Sequence, residues 1–535
     1  MKTLSTLDFI VIGLYFLGLI VIGLVTSRRQ TSEEMYFLGG RRTSWFLAGI
    51  SVIATLLSTV TFVGAPGEMI KYGVGFFSSL LAMVFVVPVV NRFIIPALMR
   101  LPVTTVYDYL ERRFGLSTRM LGAVSFVIMR LIWLGLIIFT ASLAISEMVA
   151  RPEPVAQVSS ELGSRLAQPV PSANVLATII IIMGVVTTFY AALGGLEAVI
   201  WSDFAQFILL FGGALFIPLR VAWATDSGPG EWWQAFSSSG RTSVPVFSMD
   251  PTVRISIIGI MIHMFFWNIC THGADQVAAQ RYLSTPSAAA ARRSVWVYAI
   301  SNVAVILLLM FCGMAVFYFN YQRSGVSLDR FAEFANENAD RLMPQFIADQ
   351  LPAGLSGLIV AALLAAAMSS LSSGINSIST VVSTDFLDRF GMGGSERAKV
   401  LRAIGIAVLA GVLGIASALL IQQLAMRQTN WNLIEMIERV NHIFVGPLGA
   451  LFFAGLLSRR VGEMAGIIGF FLGVLTSLGL AFSQEIFSLE KPISFIWIMP
   501  SSFLVGFIGA LLLAMFFRPP SPEQVAAFTY RNPRR

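Results

Sequence analysis

Six polar side chains are packed into the middle of one apolar stretch, and their spacing poses the first chemical question. The stretch is Ala361–Asp385, AALLAAAMSSLSSGINSISTVVSTD, and it holds Ser369, Ser370, Ser372, Ser373, Asn376 and Ser377. At 3.6 residues per turn Ser369, Ser372, Ser373 and Asn376 share one stripe, with Ser370 beside it. A row of neutral oxygens inside a membrane can coordinate a hard cation such as sodium, which takes oxygen ligands. The same residues also suit close helix packing, each hydroxyl bonding back to the carbonyl one turn earlier. On this stretch alone both readings stand.

The rest of the chain must place that stripe. Its 535 residues are 56% apolar and only 12% charged, with a mean hydropathy of +0.78. A soluble domain carries about 25% charged residues, so the composition is that of a polytopic membrane protein in a lipid bilayer. Cys270 and Cys312 both lie in apolar segments, so neither a disulfide framework nor a cysteine metal site is indicated. The only histidines are His263, His272 and His442, and Cys270 with His272 alone would make a poor zinc site. The net charge of +7 falls in short loops between apolar segments, so it points to membrane orientation and not to nucleic acid. Leu7–Val25 has no small-residue cleavage site and reads as a retained span.

About thirteen segments are long enough to cross a bilayer, near 7–27, 45–70, 74–98, 119–149, 174–193, 198–222, 254–276, 293–320, 352–385, 400–423, 432–457, 462–482 and 493–517. Threading them puts the basic clusters on one side. These are Arg28, Arg29, Arg41 and Arg42; Arg92, Arg100, Arg112, Arg113 and Arg119; Arg281, Arg292 and Arg293; Arg389, Arg397, Lys399 and Arg402; Arg459 and Arg460; and Arg518 with Arg531, Arg534 and Arg535. That side is expected to be cytoplasmic, with the N-terminus outside and the C-terminus inside. On the opposite side Phe331–Leu351 has the apolar spacing of an amphipathic helix, either a cap over a vestibule or a solvated loop helix.

Two spans five apart are interrupted. Ser51–Glu68, SVIATLLSTVTFVGAPGE, carries Ser58, Thr59, Thr61, Gly64 and Pro66; Trp267–Gln280, WNICTHGADQVAAQ, carries Asn268, Thr271, Gly273 and Asp275. Interruptions at matching places in two halves point to the binding site of an inverted-repeat transporter. Backbone freed at membrane depth is tolerated where it lines a cavity. The repeats would be 45–222 and 254–457, with an extra helix at 7–27, two helices at 462–517 and a tail at 518–535.

At these residues the chain resembles the sodium:solute symporter family, the group of the sodium/glucose, proline, sialic acid and iodide cotransporters. The resemblance is carried by YFLGGRRTSW (Tyr36–Trp45), GGLEAVIWSDFAQ (Gly194–Gln206), DQVAAQRYLST (Asp275–Thr285) and AALLAAAMSSLSSGINS, in the expected order over nearly the whole chain. It implies an all-α fold of the LeuT type, a 5+5 inverted repeat, and Na+-driven alternating access in the cell membrane. The family's main sodium site would fall on backbone oxygens of Ala54, Leu57 and Ala366 and the hydroxyls of Ser369 and Ser370. A second site, present in the sialic acid branch, would fall on Ser369, Ser372, Ser373 and Asp203. Asp203 has another explanation, as the residue that opens a helix and complements its dipole.

The substrate is expected near the midplane beside the breaks. Ser58 and Thr61 match positions where relatives touch substrate, and Asn268 and Thr271 offer polar groups from the second break. Phe76 reads either as a gate or as packing. Arg130 reads either as a substrate contact or as a side chain snorkelling to the interface. Arg439 lies among Glu435, Glu438, Asn441 and His442, where it suits a carboxylate or an internal pair with Glu435. Leu56 replaces the polar residue of sugar carriers, and DQVAAQRYLST looks nearer to the iodide, multivitamin and monocarboxylate branch. A small organic anion is the expected solute, with a sugar or polyol as the alternative. A membrane sensor would need a cytoplasmic output domain, for which the tail is too short. An enzyme is not expected, because the spans hold no HExxH, no GxSxG and no aspartate pair. No obligate protein partner is evident.

Overall fold

The structure is a computed structural model that describes residues 5–100, 103–149, 173–425 and 433–528. Among the described residues the chain is helical, and ten helices are long and apolar enough to cross a membrane. Burial sorts them. The window of highest hydropathy in Thr6–Ser27 is 17% buried, whereas that of 355–388 is 94% buried. Thr6–Ser27 therefore lies at the periphery with Leu14, Leu17 and Val21 exposed, and the serine-rich helix is enclosed by the other helices.

Both interruptions are breaks in helical structure. Trp45–Leu56 ends at Leu57, whose backbone is extended (φ −89°, ψ 103°), and helix resumes at Thr59–Tyr72 with Ser58 as its N-cap. Ile257–Ala274 ends at Asp275 (φ −93°, ψ 120°), which caps the following half-helix Gln276–Leu283 by accepting from the Val277 amide. Ser and Asp at those positions satisfy amides that unwinding would leave bare at bilayer depth.

Two glycines supply geometry that a side chain would forbid. Ala173–Thr225 departs from helical geometry at Gly195 (φ 56°, ψ −154°), where an added Cβ would sit 2.6 Å from the Tyr36 carbonyl. Gly73 (φ 77°) turns the chain out of Thr59–Tyr72 with the Arg241 carbonyl pressed against it. The amphipathic reading of 331–351 holds: Leu328–Gln350 is a helix, and Phe331, Ala335, Ala339, Leu342 and Phe346 are buried along one side.

The basic segments converge on one face. Arg29 pairs with Glu197 (2.7 Å), Lys399 with Glu33 (3.2 Å), Arg389 with Glu111 (2.8 Å) and Arg402 with Asp388 (2.8 Å), while Arg41 donates to the Leu283 and Val103 carbonyls. Three of the arginines read as loop charges are buried. Arg113 donates to the Gly455, Ser458 and Val461 carbonyls, and Arg119 bridges Asp385 and Glu111. The third, Arg281, lies inside Gln276–Leu283, whose eight residues are all buried.

Candidate functional site

The first break and the serine helix (Leu355–Val381) meet through hydroxyl-to-carbonyl contacts. Ser369 Oγ donates to the Ala54 carbonyl at 2.7 Å and lies 3.1 Å from the Ala366 carbonyl. Ser370 Oγ donates to the Thr55 carbonyl at 2.7 Å. The Ala54 and Thr55 carbonyls stand at the C-terminal end of Trp45–Leu56, where helical carbonyls lose their partners and carry partial negative charge. Leu57 follows in extended conformation, which turns its carbonyl out of the helical ladder. Ala54, Ala366, Ser369 and Ser370 are thus brought together, with Leu57 one step along the unwound segment. A concentration of neutral oxygens, buried and at the negative end of a half-helix, is suited to a small monovalent cation.

Asp203 lies next to this cluster. It does not open a helix: it sits two turns beyond Gly195 within Ala173–Thr225 and is fully buried. Its Oδ2 accepts from Ser51 (2.5 Å) and Thr55 (3.3 Å), while its Oδ1 is buried without a hydrogen-bond partner among the described residues. Thr55 Oγ1 and Ser373 Oγ are 2.8 Å apart, which joins Asp203 to the serine helix. Ser369 turns to Ala54, and Ser372 donates to the Ser369 carbonyl (3.1 Å).

The substrate candidates divide. Ser58 is buried as the N-cap of Thr59–Tyr72, and Thr61 is half-buried on its first turn. Asn268 accepts from the Tyr298 hydroxyl (2.6 Å) and donates to the Met264 carbonyl, so its amide is committed to packing between helices. Thr271 is buried one turn before Asp275. Phe76 packs with Met264 and Trp497 against Ile255, Ile260 and Ile496, which is the packing reading. Arg130 does not snorkel: it is buried against Phe126 and forms an ion pair with Asp275 at the second break. The side chains of Arg439, Glu435, Glu438 and Asn441 lie outside the described residues, although the backbone there belongs to Leu433–Leu457.

A family model described as the sodium:solute symporter family matches residues 36–473. The chain belongs to this family. Sodium is accordingly the coupling ion, and the protein is a multi-pass protein of the cell membrane. A sodium/sialic acid symporter of Aliivibrio fischeri is 26% identical, over 96% of this chain and 92% of that one. The sodium-coupled monocarboxylate transporter 1 of Homo sapiens is 27% identical, over 86% and 70%. Among solved structures, a Na+-coupled sialic acid symporter in a substrate-bound outward-open state superimposes with a TM-score of 0.78 at 24% identity, covering 97% of this chain and 99% of that one. The family members are transporters, and the all-α membrane fold expected of the chain is the one it adopts.

Sequence reasoning passed over Ser51, Thr55 and Arg281 as members of the site. Ser51 and Thr55 carried a signal, since they lie four apart and therefore share one face of an apolar helix. Arg281 carried none, because its position at the end of a span matched an ordinary loop charge.

Proposed function

We propose that this chain is a sodium-coupled secondary active symporter that imports a small organic anion by alternating access. The observation that carries the reading is the pairing of the Ser369 and Ser370 hydroxyls with the Ala54 and Thr55 carbonyls beside the break at Leu57. It joins a helix end that favours cations to a hydroxyl-lined helix, at the residues where the first sodium ion is assigned. Its ligands are the backbone oxygens of Ala54, Leu57 and Ala366 and the hydroxyls of Ser369 and Ser370.

A second sodium site is assigned to Asp203, Ser373, Ser372 and Ser369. The open Oδ1 of a fully buried carboxylate supports it. Two sodium ions entering with one monovalent anion carry a single net charge, which gains about 2.3 kcal/mol across 100 mV, enough for roughly fiftyfold accumulation of solute before any sodium gradient is counted.

The anion preference rests on the second set of half-helix ends. Thr59–Tyr72 presents its N-terminus at the first break with only the neutral Ser58 as cap, whereas Gln276–Leu283 is already capped by the Asp275 carboxylate. Ser58, Thr61 and Thr271 are assigned to the solute site, together with Arg439 as the countercharge. Arg130 is assigned to holding Asp275. Thirteen crossings are assigned, with Ala173–Thr225 counted as two spans hinged at Gly195 and the basic face placed in the cytoplasm. The repeats are 45–222 and 254–457.

The test is a thermal-shift screen of the purified protein against monocarboxylates, sialic acid, vitamins, amino acids and sugars, each with and without sodium, followed by counterflow in proteoliposomes. A sodium-dependent shift with a carboxylate and sodium-dependent counterflow of the same compound are expected. A sodium-dependent response to sugars alone would refute the anion assignment, and counterflow indifferent to sodium would refute the symport reading.

A further inference from the structure

Arg281 stands inside the Asp203 cluster but has no part in the sodium sites assigned above. Its guanidinium is fully buried. It donates to Ser51 (3.2 Å), to Thr55 (3.3 Å) and to Ser373 in a short contact, and it lies 3.6 Å from Asp203 Oδ2. A further N–H returns to the Val277 carbonyl (2.9 Å), one turn back on its own half-helix. One side chain on Gln276–Leu283 thus grips the first broken helix, the serine helix and Ala173–Thr225 together. The same half-helix is held at two further points, by Gln280 on Asn376 and Thr380 and by Arg130 on Asp275.

The charges make this arrangement more than packing. The other contacts of Asp203 Oδ2 are the neutral hydroxyls of Ser51 and Thr55. A buried carboxylate without a cation is heavily penalised, and neutral hydroxyls do not remove the penalty. A symporter must also return after its ions have left. At that step a carboxylate that serves as a sodium ligand would be stranded, unless the protein supplies a cation of its own.

We propose that Arg281 is the resident counter-cation of Asp203 in the sodium-free carrier, and that sodium, binding on the open Oδ1 side, takes over the carboxylate and frees the guanidinium. Arg281 is on this account a positioning residue. The inference rests on the second-site reading given under Proposed function and deepens it. Two cations sharing Asp203 and Ser373 repel each other, so occupancy of the site pushes on Gln276–Leu283. Ion binding is thereby coupled to the half-helix whose last carbonyl accepts from Arg41 on the basic face. No covalent step or proton transfer is involved.

The experiment uses the full-length purified protein with sodium as the only ligand, so no solute need be known. Thermal unfolding is followed in choline chloride and across a sodium chloride titration, alongside ²²Na⁺ binding, for wild type, Arg281→Gln, Arg281→Lys, Asp203→Asn and Asp203→Asn/Arg281→Gln. Arg281→Gln is expected to lose stability in choline and regain it in sodium, with a sodium-induced shift at least twice that of wild type. Arg281→Lys, which keeps the charge, is expected to stay near the wild-type shift. The double variant should lose the excess. An equal loss for Arg281→Gln in both salts, or abolished ²²Na⁺ binding, would overturn the proposal. If Arg281→Gln cannot be recovered in either salt, recovery of the double variant sustains the inference and its failure overturns it. Asp203→Asn tests the underlying reading separately: a sodium stoichiometry unchanged by that substitution removes the second site, whatever Arg281→Gln does.

Discussion

Truncating Ser369 to alanine is the sharpest probe of the ion site. Its hydroxyl is buried, 2.7 Å from the Ala54 carbonyl and 3.1 Å from that of Ala366. A hydrogen bond or ligand contact to a charged group is worth about 1.5–3 kcal/mol, which corresponds to a rise in the sodium midpoint of roughly 10- to 150-fold. Ser379→Ala is the control. Ser379 is an equally buried hydroxyl on the same helix, but it donates to the Ala403 carbonyl (2.7 Å), away from the break. Its loss is expected to cost about 1 kcal/mol of stability and leave the sodium midpoint within about threefold. The assay is a sodium titration of thermal stability and of ²²Na⁺ binding on both variants. A folded Ser369→Ala protein with the wild-type midpoint, or a Ser379→Ala protein shifted as far, would show that these hydroxyls only pack.

Asp203→Asn is expected to lower the sodium Hill coefficient of transport towards one, and an unchanged coefficient would argue for a purely structural carboxylate. Arg130→Gln leaves Asp275 buried and unpaired, so it should destabilise the protein by about 3–5 kcal/mol, with partial rescue in Arg130→Gln/Asp275→Asn; equal melting temperatures for the single and double variants would contradict the pairing. Glu33 lies on the basic face outside the spans. Burial, followed by the neighbouring Asp388, pushes its carboxyl up to about 7 despite Lys399 beside it. A carboxyl whose folded value is raised binds protons more tightly when folded, so its contribution to stability is full below its unfolded value and is lost as pH rises towards 7. The melting temperature of wild type relative to Glu33→Gln should therefore fall between about pH 4.5 and 7, and a flat difference over that window would refute the assignment.

Much of the architecture was legible because it is local. Hydropathy over about twenty residues marks a span, and a rise of 1.5 Å per residue puts Ser369, Ser372, Ser373 and Asn376 on one stripe whatever the rest of the chain does. The breaks at Leu57 and Asp275 were legible for the same reason, since runs of Ser, Thr, Gly and Asp inside an apolar segment compete with the helical ladder. The amphipathic helix at Leu328–Gln350 follows from its own spacing.

What the linear chain left open depends on segments far apart in it. Asp203 meets Ser51 across 152 positions and Arg281 meets Ser51 across 230, and no local pattern records such an approach. Arg113, Arg119 and Arg281 each had the local signature of an interfacial charge, yet each is buried, because acceptors from other helices replace the water it gives up. Composition and periodicity determined that this chain threads a bilayer with an oxygen-lined helix at its centre. Which charges are drawn into that centre, and which carboxylate each one neutralises, was decided only when the helices packed, since a charge is tolerated at that depth only where a distant part of the chain brings it a partner.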